Sequence, residues 1–237
     1  MPTVYKRVLL KLSGEALAGD KHFGLDNESI VRYCTAIKEC VDMGVQIGIV
    51  VGGGNYWRGR TSGDMDRIRA DHIGMLATTM NALAVCDALE NLGVPTRVQT
   101  AIAMTGIAEP FDRDAAVRHL EEGRVVIFGC GTGLPFFSTD TTASLRGAQI
   151  GADVILKGTM VDGVYDSDPK KNPNAVRYDE LTFTEVLEKD LKVMDSTAAS
   201  MCRESKIAIM VFNIEEDPQN LVRAMRGEKV GTIVKEA

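Results

Sequence analysis

Short apolar runs rich in Val and Ile alternate along the chain with longer stretches whose apolar positions recur at helical spacing. Residues 4–12 form the first run and stop at Ser13-Gly14. VQIGIVV at 45–51, VPTRVQ at 94–99, RVVIFG at 124–129 and DVILKG at 153–158 follow, and IAIMVF at 207–212 and TIV at 232–234 close the series. Near-continuous apolar runs of this length predict strands buried on both faces. The stretches between them predict helices: from a cap at Asp26 or Asn27 to about Met43, where Gly44 ends it; over 66–91, with Gly93 after it; from a cap at Asp112 to Glu122; and over 139–149, 182–190, 195–205 and 217–226. A loop at 166–176 carries Pro169 and Pro173. Strands alternating with helices predict an α/β fold with a largely parallel sheet covered on both faces. The chain shows no internal repeat, low-complexity segment or linker, so a single domain over 1–237 is expected, with an N-terminal part to about 150 and a C-terminal part after it.

Composition narrows the function. Hydrophobic residues make up 45% of the 237 and charged residues 25%, which excludes a disordered chain. Lys plus Arg is 27 against 33 for Asp plus Glu, a net charge of −6. That balance argues against broad nucleic-acid binding, which runs on clustered cations, and leaves room for a local phosphate pocket. The five cysteines are scattered and odd in number, without a C-x-x-C pair, which disfavours a disulfide framework or zinc site and fits a reducing cytoplasm. Lys6 and Arg7 before Val8-Leu9-Leu10, with Ala16-Leu17-Ala18 beyond, imitate a secretory leader, but Lys11 and Glu15 interrupt the apolar stretch. No uninterrupted apolar run approaches the roughly 18 residues of a membrane span, so no membrane association is expected.

The candidate chemistry lies at three glycine-bearing turns, each after a strand: Ser13-Gly14, Gly52 to Gly54, and Gly129-Cys130-Gly131-Thr132-Gly133. Bare backbone N–H groups at the carboxyl ends of parallel strands can approach phosphate oxygens. None of the turns is a Walker A loop or a dinucleotide fingerprint. Lys11 sits in an apolar strand, where an unpaired cation is costly to bury; it reads as a phosphate ligand or as a snorkelling edge lysine. Arg58, in GGGNYWRG, reads as a bidentate phosphate contact or a solvated loop residue. Asp140, after Thr139 at a helix start, reads as an N-cap, a partner that orients a lysine, or a metal ligand. His22, His72 and His119 stand in unrelated contexts, and no hydrolytic triad has a candidate centre. Transfer between phosphates needs positioning and charge neutralisation rather than a strong base, and the inventory matches that need.

The strings KLSGE (11–15), GGGNYWRG (52–59), ADHIGMLATTMNALA (70–84), TGLPFFSTD (132–140), KGTMVDGVYDSDP (157–169) and LKVMD (191–195), in this order, resemble the bacterial UMP kinases of the amino-acid kinase superfamily over essentially the whole chain. The resemblance implies a three-layer α/β/α sandwich with a mainly parallel central sheet. It implies a cytoplasmic homohexamer that transfers the γ-phosphoryl group of ATP, with Mg²⁺, to UMP in pyrimidine nucleotide biosynthesis. By motif, Lys11, Leu12, Ser13 and Gly14 line the ATP phosphates; Gly54 and Arg58 lie between the nucleotides; and Gly53 meets the UMP phosphate. Asp71, otherwise a helix surface charge, binds the UMP ribose. Thr132, Gly133, Leu134, Pro135, Phe136, Phe137, Ser138 and Thr139 wrap the uracil and its phosphate. Asp140 organises Lys11 and the transferring group. Thr159, Tyr165 and Asp168 hold the ATP base and ribose, with Lys157 and Asp195 as further ATP-side candidates whose plain readings are a strand-end lysine and an N-cap. UMP binding then falls mainly in 1–150 and ATP base binding mainly in 151–237. Gly19, Asp20, Lys21, His22, Phe23 and Gly24 match the stretch through which GTP activates members of the family, in which UTP inhibits; read alone, it is a polar surface loop.

Two departures stand out. Leu134 replaces the usual Asn, which leaves open whether uridine selectivity is relaxed or rests on backbone groups. Trp57 is bulkier than the family pattern and bears on the loop carrying Arg58. The competing readings are a kinase acting on a carboxylate or carbamate, such as acetylglutamate, and a non-catalytic nucleotide or oxyanion binding protein on the same fold.

Overall fold

The computed structural model describes residues 3–58, 63–169 and 171–236. Its framework is a nine-stranded sheet in the order β4-β3-β5-β2-β1-β6-β10-β11-β9. The strands are β1 (Arg7–Leu12), β2 (Gln46–Val51), β3 (Thr96–Thr100), β4 (Glu109–Pro110), β5 (Val125–Gly129), β6 (Val154–Thr159), β9 (Glu180–Thr182), β10 (Ala208–Asn213) and β11 (Gly231–Lys235). All pairings in this sheet are parallel except β10 with β11. A separate antiparallel pair joins β7 (Val164–Tyr165) to β8 (Arg177–Tyr178). The helices are α1 (Gly14–Ala18), α2 (Asn27–Asp42), α3 (Arg67–Asn91), α4 (Arg113–Glu121), α5 (Thr139–Ile150), α6 (Phe183–Glu188), α7 (Ser196–Glu204) and α8 (Gln219–Met225).

Alternation along each strand divides the apolar residues between two cores. Val8, Leu10 and Leu12 of β1 join Ile37 of α2 and Leu89 of α3 on one face; Leu9 joins Ala143 and Ile150 of α5 on the other. Helices therefore cover both faces of a mostly parallel sheet, as the alternation in sequence requires. Their ends follow local chemistry. The carboxylates of Asp26, Asp66 and Asp112 accept from the N–H groups of Ser29, Arg69 and Ala115 at 2.9, 3.1 and 2.6 Å, satisfying donors that a helix start leaves open. Gly44 and Gly93, at φ 88° and 80°, end α2 and α3 in the left-handed region.

The structure corrects several sequence expectations at the margins. The first strand starts at Arg7, not residue 4. A five-residue helix, α1, follows Ser13 where only a turn was read, and the imitation cleavage site Ala16-Leu17-Ala18 is buried in it. The 166–176 loop connects the two strands of the small β7–β8 pair. The two-residue β4 and three-residue β9 were not foreseen. Among the described residues α3 alone is long and apolar enough to cross a membrane by length and composition, and half of that stretch is buried in this fold. Cys34 and Cys40 are core thiols, and burial pushes each up to about 12.

β1 and β2 lie side by side, so their glycine turns meet backbone to backbone. A Cβ on Gly14 would stand 2.5 Å from Asn55 Oδ1 and 2.8 Å from both Gly52 O and Gly54 N. Two of those three atoms are backbone and cannot swing aside. Gly14→Ala is expected to cost about 1–3 kcal/mol through overpacking. Urea denaturation checks this, and unchanged stability would refute it.

Candidate active site

The carboxyl ends of β5, β2 and β1 open into a cleft of about 430 Å³. Parallel sheets place their ligands at this edge. All three glycine turns contribute to its lining, through Gly14, through Gly52, Gly53 and Gly54, and through Gly131.

The floor carries a charge cluster. Lys11 on β1 and Lys157 on β6 are register partners on adjacent parallel strands. Each lies on the α5 side of the sheet, since Leu9 and Ile155, two residues earlier, belong to the core on that side. Like charges placed directly opposite one another repel. Asp140, in the first turn of α5, stands between them: Lys11 Nζ lies 3.3 Å from Oδ1, and Lys157 Nζ donates to Oδ2 at 2.8 Å. Burial pushes the Asp140 carboxyl up, but the two ammonium groups outweigh it and hold it below the ordinary carboxylate value. Asp140 is therefore ionised at neutral pH and committed to the lysines. Two cations against one anion leave a surplus positive charge facing the cleft.

The cap of α5 is Ser138, whose hydroxyl accepts from Thr141 N–H, so Asp140 does not fill the N-cap role. Lys157 is more than a strand-end lysine: besides Asp140 it donates to Val193 O at 2.6 Å. Asp195 is the N-cap of α7, and it also accepts from the hydroxyls of Ser138 and Thr141, tying α7 to the start of α5.

The opposite wall belongs to α3. Asp71 accepts from Arg67 Nε through both carboxylate oxygens at 2.9 Å and from Phe136 N–H at 2.8 Å. It is a cleft residue, not a surface charge. The Arg67 guanidinium lies 5.2 Å from the Phe136 ring centre. Deeper, Asn55 and Asn81 bond each other reciprocally at 3.0 and 2.8 Å; Asn81 donates further to Gly52 O and Asn55 to Gly24 O. This fully buried pair locks the second glycine turn to α3. Arg58 pairs with Glu15 over the cleft mouth, where Trp57 also lines the wall. Gly59, the last residue of that motif, lies outside the described residues.

Of the sequence-read residues, Lys11, Ser13, Gly14, Gly53, Gly54, Arg58, Asp71, Phe136, Phe137, Ser138 and Thr139 line the cleft, and Asp140 lies beneath it. Leu12 does not line it; its side chain is in the core, and only its carbonyl, accepting from Gly52 N–H, bears on the turn. Thr132, Gly133, Leu134 and Pro135 belong to the same loop but stand off the cleft lining, with the Leu134 side chain exposed. Thr159, at the end of β6, and Tyr165 and Asp168 beyond it are also outside the lining; Tyr165 OH donates to Asp162. Gly19–Lys21 form a 3-10 turn, His22 follows at φ 58°, Phe23 is exposed, and Gly24 bonds Asn55. Glu15, Trp57, Arg67 and Asn81 were missed as site residues. For Arg67 the signal was present, four residues before Asp71 and so on the same helical face.

The cleft carboxylates are each matched by a cation: Asp140 by two lysines, Asp71 by Arg67 and Glu15 by Arg58. Among the described residues no group of three or more His, Cys, Asp or Glu could hold a metal ion. This donor set suits a Mg²⁺ ion that arrives on nucleotide phosphates and keeps its waters.

A model of the amino acid kinase family matches residues 6–213. The UMP kinase of Bacillus anthracis superposes with a TM-score of 0.95 at 38% identity, over 100% of this chain and 97% of that one. The UMP kinase of Ureaplasma parvum gives 0.93 at 39% identity, over 98% and 99%. The uridylate kinase of Archaeoglobus fulgidus gives 0.73 at 31% identity, over 96% and 99%.

Proposed function

Because the chain belongs to the amino acid kinase family, we infer that it is a UMP kinase, moving the γ-phosphoryl group of Mg-ATP to UMP to give ADP and UDP. The observation that carries the reading is the half-buried Asp140 flanked by Lys11 and Lys157 beneath three glycine turns, the surplus positive charge of the cluster directed at the place where two phosphates must meet.

The chemistry needs little more. The second pKa of a phosphate monoester is near 6, so the UMP phosphate is already mostly dianionic at neutral pH and needs no base. One of its oxygens bonds to the γ-phosphorus as the bond from that phosphorus to the β–γ bridging oxygen breaks; ADP departs with the electron pair. Lys11 neutralises charge on the transferring group, and Gly14, Gly53 and Gly54 let it approach the backbone. Asp140 moves no proton; it holds the two ammonium groups apart and aimed. Arriving with ATP, Mg²⁺ would supply further charge neutralisation on its phosphates.

UMP would occupy the side formed by Asp71 and the 132–139 loop, mainly within 1–150. The ATP base would extend past β6 toward Thr159, Tyr165 and Asp168, within the one domain. Assembly as a homohexamer is supported by an apolar stripe on one face of α3, where Ile73, Leu76, Met80 and Leu83 are exposed at helical spacing. GTP as activator is proposed through the 19–24 segment, whose Gly24 is bonded to Asn55 of the second glycine turn, and UTP is proposed as an inhibitor. The proposed location is the cytoplasm.

The test is ADP formation from Mg-ATP with UMP, CMP, dCMP, AMP and GMP offered separately, with and without GTP. Turnover of UMP at least tenfold above CMP is expected, because the Leu134 side chain stands off the cleft lining. Binding of ATP and UMP without turnover of any acceptor would overturn the reading in favour of a binding protein. Phosphorylation of acetylglutamate but not UMP would overturn it in favour of an acid kinase.

A further inference from the structure

Glu15 ends the KLSGE string, and no step above uses it. It stands in the first turn of α1, where the helix dipole favours a carboxylate. That local reason does not account for where the side chain goes. Gly14, Ala16, Leu17 and Ala18 are buried, so α1 is anchored and Glu15 alone of its five residues reaches the surface. Its side chain crosses from the first glycine turn to the second. An ideal Cβ on Gly54 would stand 2.9 Å from Glu15 Cδ and 3.2 Å from Oε2, so the space a side chain at position 54 would take is filled by the Glu15 carboxylate. From there Oε1 accepts from Nη2 of Arg58. Both residues line the cleft.

A carboxylate at this place needs a reason, because the cleft is built for phosphates and like charges repel. Stability does not supply one. The two side chains are 40% and 64% exposed, and a pair so open to water adds little to the fold. What the pair does settle is the position of the guanidinium. Tyr56 N–H and Trp57 N–H both donate to Gly53 O at 3.0 Å, which fixes the loop backbone as far as position 57. Arg58 comes next, on a long side chain rich in rotamers, and Glu15 ties its end back over the glycine turns. A guanidinium has five donors and can serve a carboxylate and a phosphate together. Ordering it beforehand spares the nucleotide that entropic cost.

We propose that Glu15 is a positioning residue for phosphoryl transfer: its carboxylate, carried on α1, holds the Arg58 guanidinium over the junction of the first two glycine turns, where the ATP phosphates lie. Glu15 itself moves no proton and acts only through Arg58. The proposal rests on the kinase reading above and deepens it, and its nucleotide-binding half can be tested without turnover.

The test is a double-mutant cycle of Glu15→Gln and Arg58→Met, read by kcat, by calorimetric titration of Mg-ATP and by thermal unfolding. Charge alone predicts that Glu15→Gln tightens Mg-ATP binding, because an anion leaves a phosphate cleft. Positioning predicts the reverse: Mg-ATP should bind about threefold more weakly and kcat should fall about tenfold, with Tm unchanged. Glu15→Asp keeps the charge, shortens the reach by one methylene and should lose about threefold in kcat. In the Arg58→Met background the carboxylate has nothing to hold, so Glu15→Gln should change kcat less than twofold and leave Mg-ATP binding equal or tighter. The same loss in both backgrounds would show a role in packing α1 and overturn the proposal. Tighter Mg-ATP binding or an unchanged kcat in the Glu15→Gln single variant would overturn it too. Should either variant fail to fold, Glu15→Asp and Arg58→Lys complete the same cycle and are judged the same way. A wild type that binds Mg-ATP but turns over no acceptor would sink the kinase reading, and the calorimetric half of the cycle would still decide whether Glu15 positions Arg58.

Discussion

Lys11→Ala is expected to lower kcat about a thousandfold while leaving the folded state as stable as the wild type, or more so. The two halves of this result have one cause. With Lys11 present, two ammonium groups share one carboxylate, at 3.3 and 2.8 Å. Removing Lys11 leaves Lys157 and Asp140 paired one to one, and the fold no longer holds a surplus cation. The transferring group, however, loses the cation placed at the end of the central strand. Loss of one preorganised electrostatic partner costs about 10²–10³ in kcat; an ammonium facing a highly charged phosphoryl group belongs at the upper end. Steady-state kinetics with saturating Mg-ATP and UMP, beside urea denaturation, reads both halves. A kcat within tenfold of wild type would remove Lys11 from the mechanism.

Asp140→Ala should also abolish most activity, but with the opposite effect on stability, a loss of about 3 kcal/mol. Breaking a buried ion pair by deleting one partner costs about 3–5 kcal/mol, because the other charge is left uncompensated. Here two lysines are stranded, and their flexible stems and slight exposure favour the low end of that range. Asp140→Asn should lose a similar amount, since it keeps the volume and removes the charge. The pH dependence follows from the direction of the shift. The folded-state carboxyl titrates below the ordinary value of 3.8. Its stabilisation is therefore complete above that value and is lost as pH falls through the folded one. The stability gap between wild type and Asp140→Asn should be full at pH 7 and narrow below about pH 4. A gap that does not change with pH would mean that the carboxylate charge is not what stabilises this site.

These two variants also show where sequence reading stops. Lys11 was legible as a candidate because a cation in an apolar strand is conspicuous. Asp140 was legible as a residue that orients a lysine, although its N-cap reading failed: the hydroxyl of Ser138, two residues earlier, takes the cap. Lys157 sits in the same kind of setting as Lys11 but was given less weight, because nothing in a linear pattern says that β1 and β6 are neighbours in register. The larger elements were legible for local reasons. Aspartates at 26, 66 and 112 cap their helices, glycines at 44 and 93 follow them, and the β2, β5 and β6 runs are apolar on both faces. α1, β4, β7 and β8 are too short for any period to show. The Asn55–Asn81 pair was illegible for another reason: Asn81, a polar residue inside an apolar helix pattern, looks like noise until its buried partner in the glycine turn is known.

The Asn55–Asn81 pair has a consequence for how this protein ages. Asparagine side chains convert slowly to aspartate when the next backbone nitrogen attacks the amide carbon. At position 55 that nitrogen belongs to Tyr56 and is engaged by Gly53 O at 3.0 Å; at position 81 it lies within the α3 backbone ladder. Both amide carbons are also shut away from water. Conversion of Asn81 would set a new carboxylate against the Gly52 carbonyl, behind the nucleotide turn, and both asparagines are held in conformations that disfavour it. Chemical wear in storage should begin at the exposed asparagines of the outer loops and reach the nucleotide turn last.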